Sequence, residues 1–147
     1  MSIYADSSFL VSAFGNDVHS PMAAALLKTF GVPMPFSGLH RVEVRNAFAL
    51  MVFRKDYTEV QAVAAWSAVL ARVHSGALRT VTPDWESALR RTKMLAANHT
   101  ATLGTRSLDI LHVALAKSLR SKTFCSLDKR QRALAASLSM KLEPAVL

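Results

Sequence analysis

Thr123-Phe124-Cys125-Ser126-Leu127-Asp128-Lys129-Arg130-Gln131-Arg132 is the stretch on which the fold turns. A short run, mostly apolar and without alternation, ends on an acid, and a charged helical pattern begins directly behind it. A strand that shows no polar face is buried on both sides, which is the condition of a parallel strand covered by helices. The same arrangement opens the chain. Ile3-Tyr4-Ala5 is apolar, Asp6 ends it, and Ser7-Ser8 can cap a helix through Phe9, Leu10, Val11 and Phe14 that stops near Gly15.

Outward from these two stretches, helical spacing predicts helices over residues 19–30, 39–54, 58–74, 85 to about 98, 107–119 and 129–138. Gly31 ends the first of these, Lys55-Asp56-Tyr57 the second and Gly76 the third. Residues 78–82 and 123–127 read as strands, and Lys141-Leu142 as a final short one. Residues 32–37 are apolar but contain Pro33 and Pro35, so a strand there must be short or lie at an edge. The expectation is an α/β fold, a single domain over residues 1–147 with a short, mostly parallel sheet and many helices layered α/β/α. In such sheets ligands gather outside the carboxyl ends of the strands, where the following helices begin.

Composition bounds the function. The chain has 147 residues, 51% of them apolar, so it is neither disordered nor too small for one core. The longest apolar run, residues 47–53, is far short of a bilayer span. With no targeting pattern at either end, a cytoplasmic location is expected. A lone cysteine, Cys125, cannot form an internal disulfide and reads as a small core residue. The net charge of +8 favours polyanions, and from Trp85 onward 11 basic residues stand against 4 acidic ones. Trp66 and Trp85 lie in helical apolar patterns and read as core or subunit-contact residues.

Against that basic background three acids occupy the places where ligands gather: Asp6, Asp128, and Asp109 in the first turn of its helix. Each has an ordinary structural use as a cap, a dipole partner or a turn residue. Glu43 is different. Its helical neighbours Leu39, His40, Asn46 and Ala47 include no Lys or Arg, and Arg41 and Arg45 point to the far side of the helix. A carboxylate on a largely apolar face needs a basic partner from elsewhere or a cation.

Four motifs taken in order carry a family resemblance. Tyr4-Ala5-Asp6-Ser7-Ser8, Arg41-Val42-Glu43-Val44-Arg45-Asn46, Arg106-Ser107-Leu108-Asp109-Ile110-Leu111-His112 and Phe124-Cys125-Ser126-Leu127-Asp128-Lys129-Arg130 resemble the motifs of PIN domains, and more closely those of the VapC-type toxins of bacterial toxin–antitoxin pairs. The resemblance implies a PIN-like fold and an endoribonuclease that hydrolyses phosphodiester bonds with Mg²⁺ or Mn²⁺. It implies Asp6 and Asp109 as ligands of the principal metal, and Glu43 and Asp128 as holding a second ion or orienting waters. Ser7, Ser8, Asn46 and Ser126 match its supporting polar groups. Implied partners are transfer or ribosomal RNA, a small antitoxin and a second copy of the chain. The antitoxin tail is expected across apolar helix faces bearing Leu26, Leu27, Phe48 and Phe53. Products would carry a 5′-phosphate and a 3′-hydroxyl.

The residue chemistry agrees. Two carboxylates about 5 Å apart repel by roughly 3 kcal/mol at an effective dielectric of 20, so gathering several requires cations or protons. Mg²⁺ suits carboxylate oxygens completed by waters and phosphate. Arg106, Lys129, Arg130 and Arg132 flank the acids and are candidates to hold RNA phosphates, the alternative being a solvated helix face. His112, one turn after Asp109, reads as a packed or hydrogen-bonded histidine before a proton carrier. Phosphate-loop, dinucleotide, zincin and hydrolase-elbow motifs are absent, and a phosphotransferase would want a second acid where Ser8 stands. A second reading stays open: a non-catalytic basic domain that binds nucleic acid or acts as a scaffold, its acids serving only as caps and ion-pair partners.

Overall fold

A computed structural model describes residues 2–147. Among them the elements run β1 (Ile3–Ala5), α1 (Ser7–Phe14), α2 (Ser20–Phe30), β2 (Met34–Phe36), α3 (Gly38–Phe53), α4 (Glu59–His74), β3 (Leu78–Thr80), α5 (Trp85–Leu103), α6 (Ser107–Ser118), β4 (Thr123–Cys125), α7 (Lys129–Ser137) and β5 (Lys141–Glu143). The three strand pairings are parallel, as the apolar, fully buried β1, β2 and β4 predict, while the polar β3 and β5 stand at the sheet edges. The chain divides into two compact units, one of residues 2–6 and Thr82–Leu147, the other Ser7–Val81.

The first unit is built on a parallel ladder in the order β1-β4-β5, with Tyr4 opposite Phe124 and Phe124 opposite Leu142. Tyr4 stacks on Phe124 with ring centroids 5.9 Å apart. Its hydroxyl meets Nδ1 of His112 at 2.8 Å, so His112 is the hydrogen-bonded core histidine the sequence suggests. Helix α6 is buried without a break from Asp109 to Ala116. A helix apolar on nearly every face must be surrounded, and α5 and α7 pack against it. Cys125 is fully buried in β4.

The second unit pairs β2 with β3 and packs α1 against α2 and α3, and α3 against α4. Ser37 and His40 form a capping box that starts α3, and Thr58 and Gln61 one that starts α4. At Gly15 a Cβ would stand 2.6 Å from the Val11 carbonyl oxygen, so only glycine fits where α1 ends. Phe48 is 1% exposed and stacks on Tyr57. It is therefore core, and the expectation that it lies on an open face for a partner's tail is corrected. Phe53, by contrast, is 83% exposed. Trp66 is half-buried beneath the Arg45 guanidinium, 5.5 Å from the ring centroid.

Helix α5 runs five residues past the expected end near Asn98. Asn98, Thr100 and Thr102 are weak helix formers but do not stop the chain. The stop is Gly104, the first residue able to take the left-handed conformation (φ 65°), with its N–H donating to the Thr100 carbonyl at 2.8 Å. No described helix is long and apolar enough to cross a membrane.

Candidate functional site

Strand pairing places the acids of the first unit. Beyond β1 the Asp6 N–H donates to the Cys125 carbonyl at 3.0 Å, and beyond β4 the Ser126 N–H donates to the Glu143 carbonyl at 3.1 Å. The ladder thus continues one residue past both strands and holds Asp6 and Ser126 at their carboxyl ends. The Ser126 hydroxyl donates to Oδ2 of Asp6 at 2.7 Å and accepts the Asp128 N–H at 3.0 Å. A hydroxyl has one proton, and the short bond to a carboxylate claims it.

Asp128 is the N-cap of α7, with Oδ1 accepting the N–H groups of Arg130 and Gln131, both at 2.9 Å. From the first turn of that helix Gln131 reaches Asp109, its Nε2 donating to Oδ1 at 3.1 Å. Oδ2 of Asp109 accepts from Nε of Arg106 at 2.8 Å. Asp6, Ser126, Asp128, Gln131 and Asp109 therefore form one unbroken chain of hydrogen bonds. Asp6 is fully buried and Asp109 is 8% exposed.

The second unit holds the remaining predicted residues. Glu43 on α3 is half-buried, and its Oε1 accepts from the Ser7 hydroxyl at 3.2 Å. Both line a cleft of about 360 Å³ with Ser8, Val11, Ser12 and Ala47. Ser8 and Asn46 are exposed.

Of the basic candidates, Arg106, Lys129 and Arg130 are exposed, and Arg130 also donates to the Gly104 carbonyl at 3.2 Å. Arg132 departs from expectation. It is buried, and Nη1 donates to the Ser126 carbonyl at 3.0 Å and Nη2 to the Pro144 carbonyl at 2.8 Å. A guanidinium committed to two backbone carbonyls inside the protein is a structural clamp, so Arg132 is withdrawn as an RNA contact. Gln131 escaped the sequence reading altogether. Its signal was there, because Asp128-Lys129-Arg130-Gln131 has capping-box spacing and Gln131 lies one turn before Leu134 and Ala135.

Beside the site the Cys125 thiol is pushed well up, first by burial and then by the negative charges of Asp6 and Glu143, with Arg132 opposing. The thiolate is the reactive form, so native Cys125 is inert. Iodoacetamide at neutral pH is expected to leave the folded chain unlabelled over the minutes that suffice in guanidinium. Rapid native labelling would show that the strand ends open.

Among the described residues no group of three or more His, Cys, Asp and Glu side chains is arranged to hold a metal ion. The charged donors along this hydrogen-bonded chain are carboxylate oxygens, those of Asp6 and Asp109 among them. That set suits a hard divalent cation of the Mg²⁺ type, which takes one or two carboxylates and completes its shell with water and phosphate.

No family model matches the sequence, and no curated protein matches it significantly. Solved structures do match. VapC20 of Mycobacterium tuberculosis, described as a sarcin-ricin loop cleaving toxin, superposes with a TM-score of 0.66 at 20% identity, over 90% of this chain and 94% of that one. VapBC2 of Rickettsia felis, solved with a DNA fragment from its promoter, gives 0.61 at 14% identity, over 97% and 98%. FitAcB of Neisseria gonorrhoeae gives 0.58 at 14% identity, over 95% of each. The fold expected from the four acid motifs is thus the one observed, and the chain has the α/β fold of the PIN-domain, VapC-type toxins.

Proposed function

We propose that this chain is a Mg²⁺- or Mn²⁺-dependent endoribonuclease and the toxin of a toxin–antitoxin pair. The observation that carries the reading is the hydrogen-bonded chain from Asp6 to Asp109 at the carboxyl ends of β1 and β4. It holds two buried carboxylates in fixed orientations on a protein whose remaining charge is strongly positive. Setting aside Asp6, Glu43, Asp109 and Asp128 leaves 6 acids against 18 basic residues, a charge of +12.

In this reading Asp6 and Asp109 hold the cation. A divalent cation there supplies Lewis acidity toward a scissile phosphate and toward water. The protein's part is to keep its ligands still. Ser126 fixes Oδ2 of Asp6, while Gln131 from α7 and Arg106 from the N-cap of Asp109's own helix hold the two oxygens of Asp109, which sets both carboxylate planes before substrate arrives. Asp128 holds the start of α7 through its cap, and its negative charge orients water. The resemblance adds Glu43, held by Ser7, as acting on a second ion or on waters. Lys129 and Arg130, exposed at the start of α7, and Arg106 supply cationic contacts for phosphates of the RNA backbone.

The RNA substrate, taken as transfer or ribosomal RNA, follows the resemblance and the VapC20 likeness; the carboxylate chemistry itself does not use a 2′-hydroxyl. A small antitoxin is the proposed restraint. The exposed apolar residues Phe53 of α3 and Val60 and Val63 of α4 offer it a surface. A homodimer is also proposed, and light scattering over a range of concentrations tests it.

Cleavage of structured RNA by the purified chain is expected to stop in excess EDTA and to return when Mn²⁺ or Mg²⁺ is restored. Cleavage that persists in EDTA overturns the metal-dependent reading. No cleavage with any divalent cation favours the non-catalytic basic domain, in which the same acids are caps and ion-pair partners.

A further inference from the structure

Gln131 stands out within the first unit. It is 3% exposed, its backbone N–H donates to the Asp128 cap, and its side-chain N–H donates to Asp109, yet its Oε1 is buried with no hydrogen-bond partner. The orientation of the amide is not arbitrary. Turned over, the carbonyl oxygen would face the Asp109 carboxylate, oxygen against oxygen, so the N–H side must face Asp109 and the oxygen must go without. It is the one buried side-chain polar atom among the described residues left in this state. Buried acceptors are nearly always satisfied, because one left unmet costs stability. A core tuned only for stability would carry Met or Leu here, on the face that also buries Leu134 and Ala135.

We propose that Gln131 is a positioning residue of the cation site: its N–H holds the Asp109 carboxylate, and its Oε1 is an acceptor reserved for the hydration water of a bound Mg²⁺ or Mn²⁺. The inference rests on the nuclease reading above and adds to it a residue outside the acidic motifs. Such hydrogen-bonding supports tune a site strongly, with losses of about 10- to 100-fold in metal affinity when they are removed.

The test is made on the full chain without RNA, by calorimetric titration with Mn²⁺ and by thermal melts with and without the ion. Gln131→Met keeps the volume and removes both the donor and the orphan acceptor. Removing the orphan acceptor and leaving Oδ1 of Asp109 without its donor act on stability in opposite directions, so the variant is expected to melt close to the wild-type temperature without metal and to bind Mn²⁺ at least about tenfold more weakly. Gln131→Glu keeps an acceptor oxygen but loses the N–H donated to Asp109 and sets a further negative charge beside it. It is expected to melt lower without metal and to bind Mn²⁺ within about threefold of wild type or more tightly, since the cation relieves the repulsion.

Wild-type Mn²⁺ affinity in a folded Gln131→Met protein overturns the inference and makes Gln131 a plain bridge between α6 and α7. If Gln131→Met does not fold, a loss of more than tenfold in Gln131→Glu overturns it instead. Absence of saturable Mn²⁺ binding in the wild type fails the nuclease reading itself, so the two failures are told apart.

Discussion

Asp6→Asn is expected to remove EDTA-sensitive RNA cleavage, with a fall of at least about a thousandfold and little change in fold. The substitution is nearly isosteric, and an amide oxygen can still accept the Ser126 hydroxyl that now donates to Oδ2. The hydrogen-bonded chain therefore survives, and what is lost is the negative charge. A charge that anchors a catalytic cation is worth several kcal/mol in the transition state, and each 1.4 kcal/mol is about tenfold in rate. Asp109→Asn is expected to lose activity similarly and to be less stable as well. Both Asp109 oxygens accept, from Gln131 and from Arg106, and an amide must turn its NH₂ toward one of these donors. Circular dichroism on each variant separates lost chemistry from lost structure. Full activity in a folded Asp6→Asn protein overturns the catalytic reading.

Arg132→Ala has the largest expected effect on stability, about 3–5 kcal/mol, out of a total that for ordinary domains is about 5–15 kcal/mol. The guanidinium is buried and joins the end of β4, through the Ser126 carbonyl, to the segment behind β5, through the Pro144 carbonyl. Truncation removes two charge-assisted hydrogen bonds of about 1.5–3 kcal/mol each and leaves a cavity where the buried side chain stood. Arg132→Lys recovers little, since one ammonium cannot reproduce a planar fork that spans two carbonyls. Urea unfolding of the variants measures the loss. Had Arg132 been a solvated phosphate contact, its removal would change stability by less than about 0.5 kcal/mol and show only as weaker RNA binding.

The case of Arg132 shows how far local pattern carries. Asp128-Lys129-Arg130-Gln131-Arg132 reads as an acid followed by a basic cluster, and for Lys129 and Arg130 that is what the surface presents. Helical spacing already distinguished the other two. Gln131 lies three and four residues before Leu134 and Ala135, and Arg132 three before Ala135, so both sit on the face that packs inward. Polarity is a weaker guide than helical period here, because a buried guanidinium can be satisfied by backbone carbonyls. Phe48 is the converse case. It was expected on an apolar face open to a partner's tail, but its place one turn after Val44 puts it in the core. The overrun of α5 to Leu103 is a matter of backbone geometry, since Gly104 readily accepts the left-handed turn that ends the helix.

Sequence alone was enough for the order and kind of the elements, the parallel pairing, and the standing of Asp6, Asp109 and Asp128 at strand ends and a helix start. Strand burial, helical period and capping preferences act over a few residues, and neighbouring side chains are sufficient to express them. Tertiary structure decided which donor meets each acid. Ser126 reaches Asp6 across 120 positions because the parallel register sets Ala5 beside Cys125, and Gln131 reaches Asp109 across 22 because α7 packs on α6. Hydrogen bonds act over about 3 Å, so their partners are fixed only when packing brings distant segments to that distance. That is why the acids were legible and the residues that hold them were not.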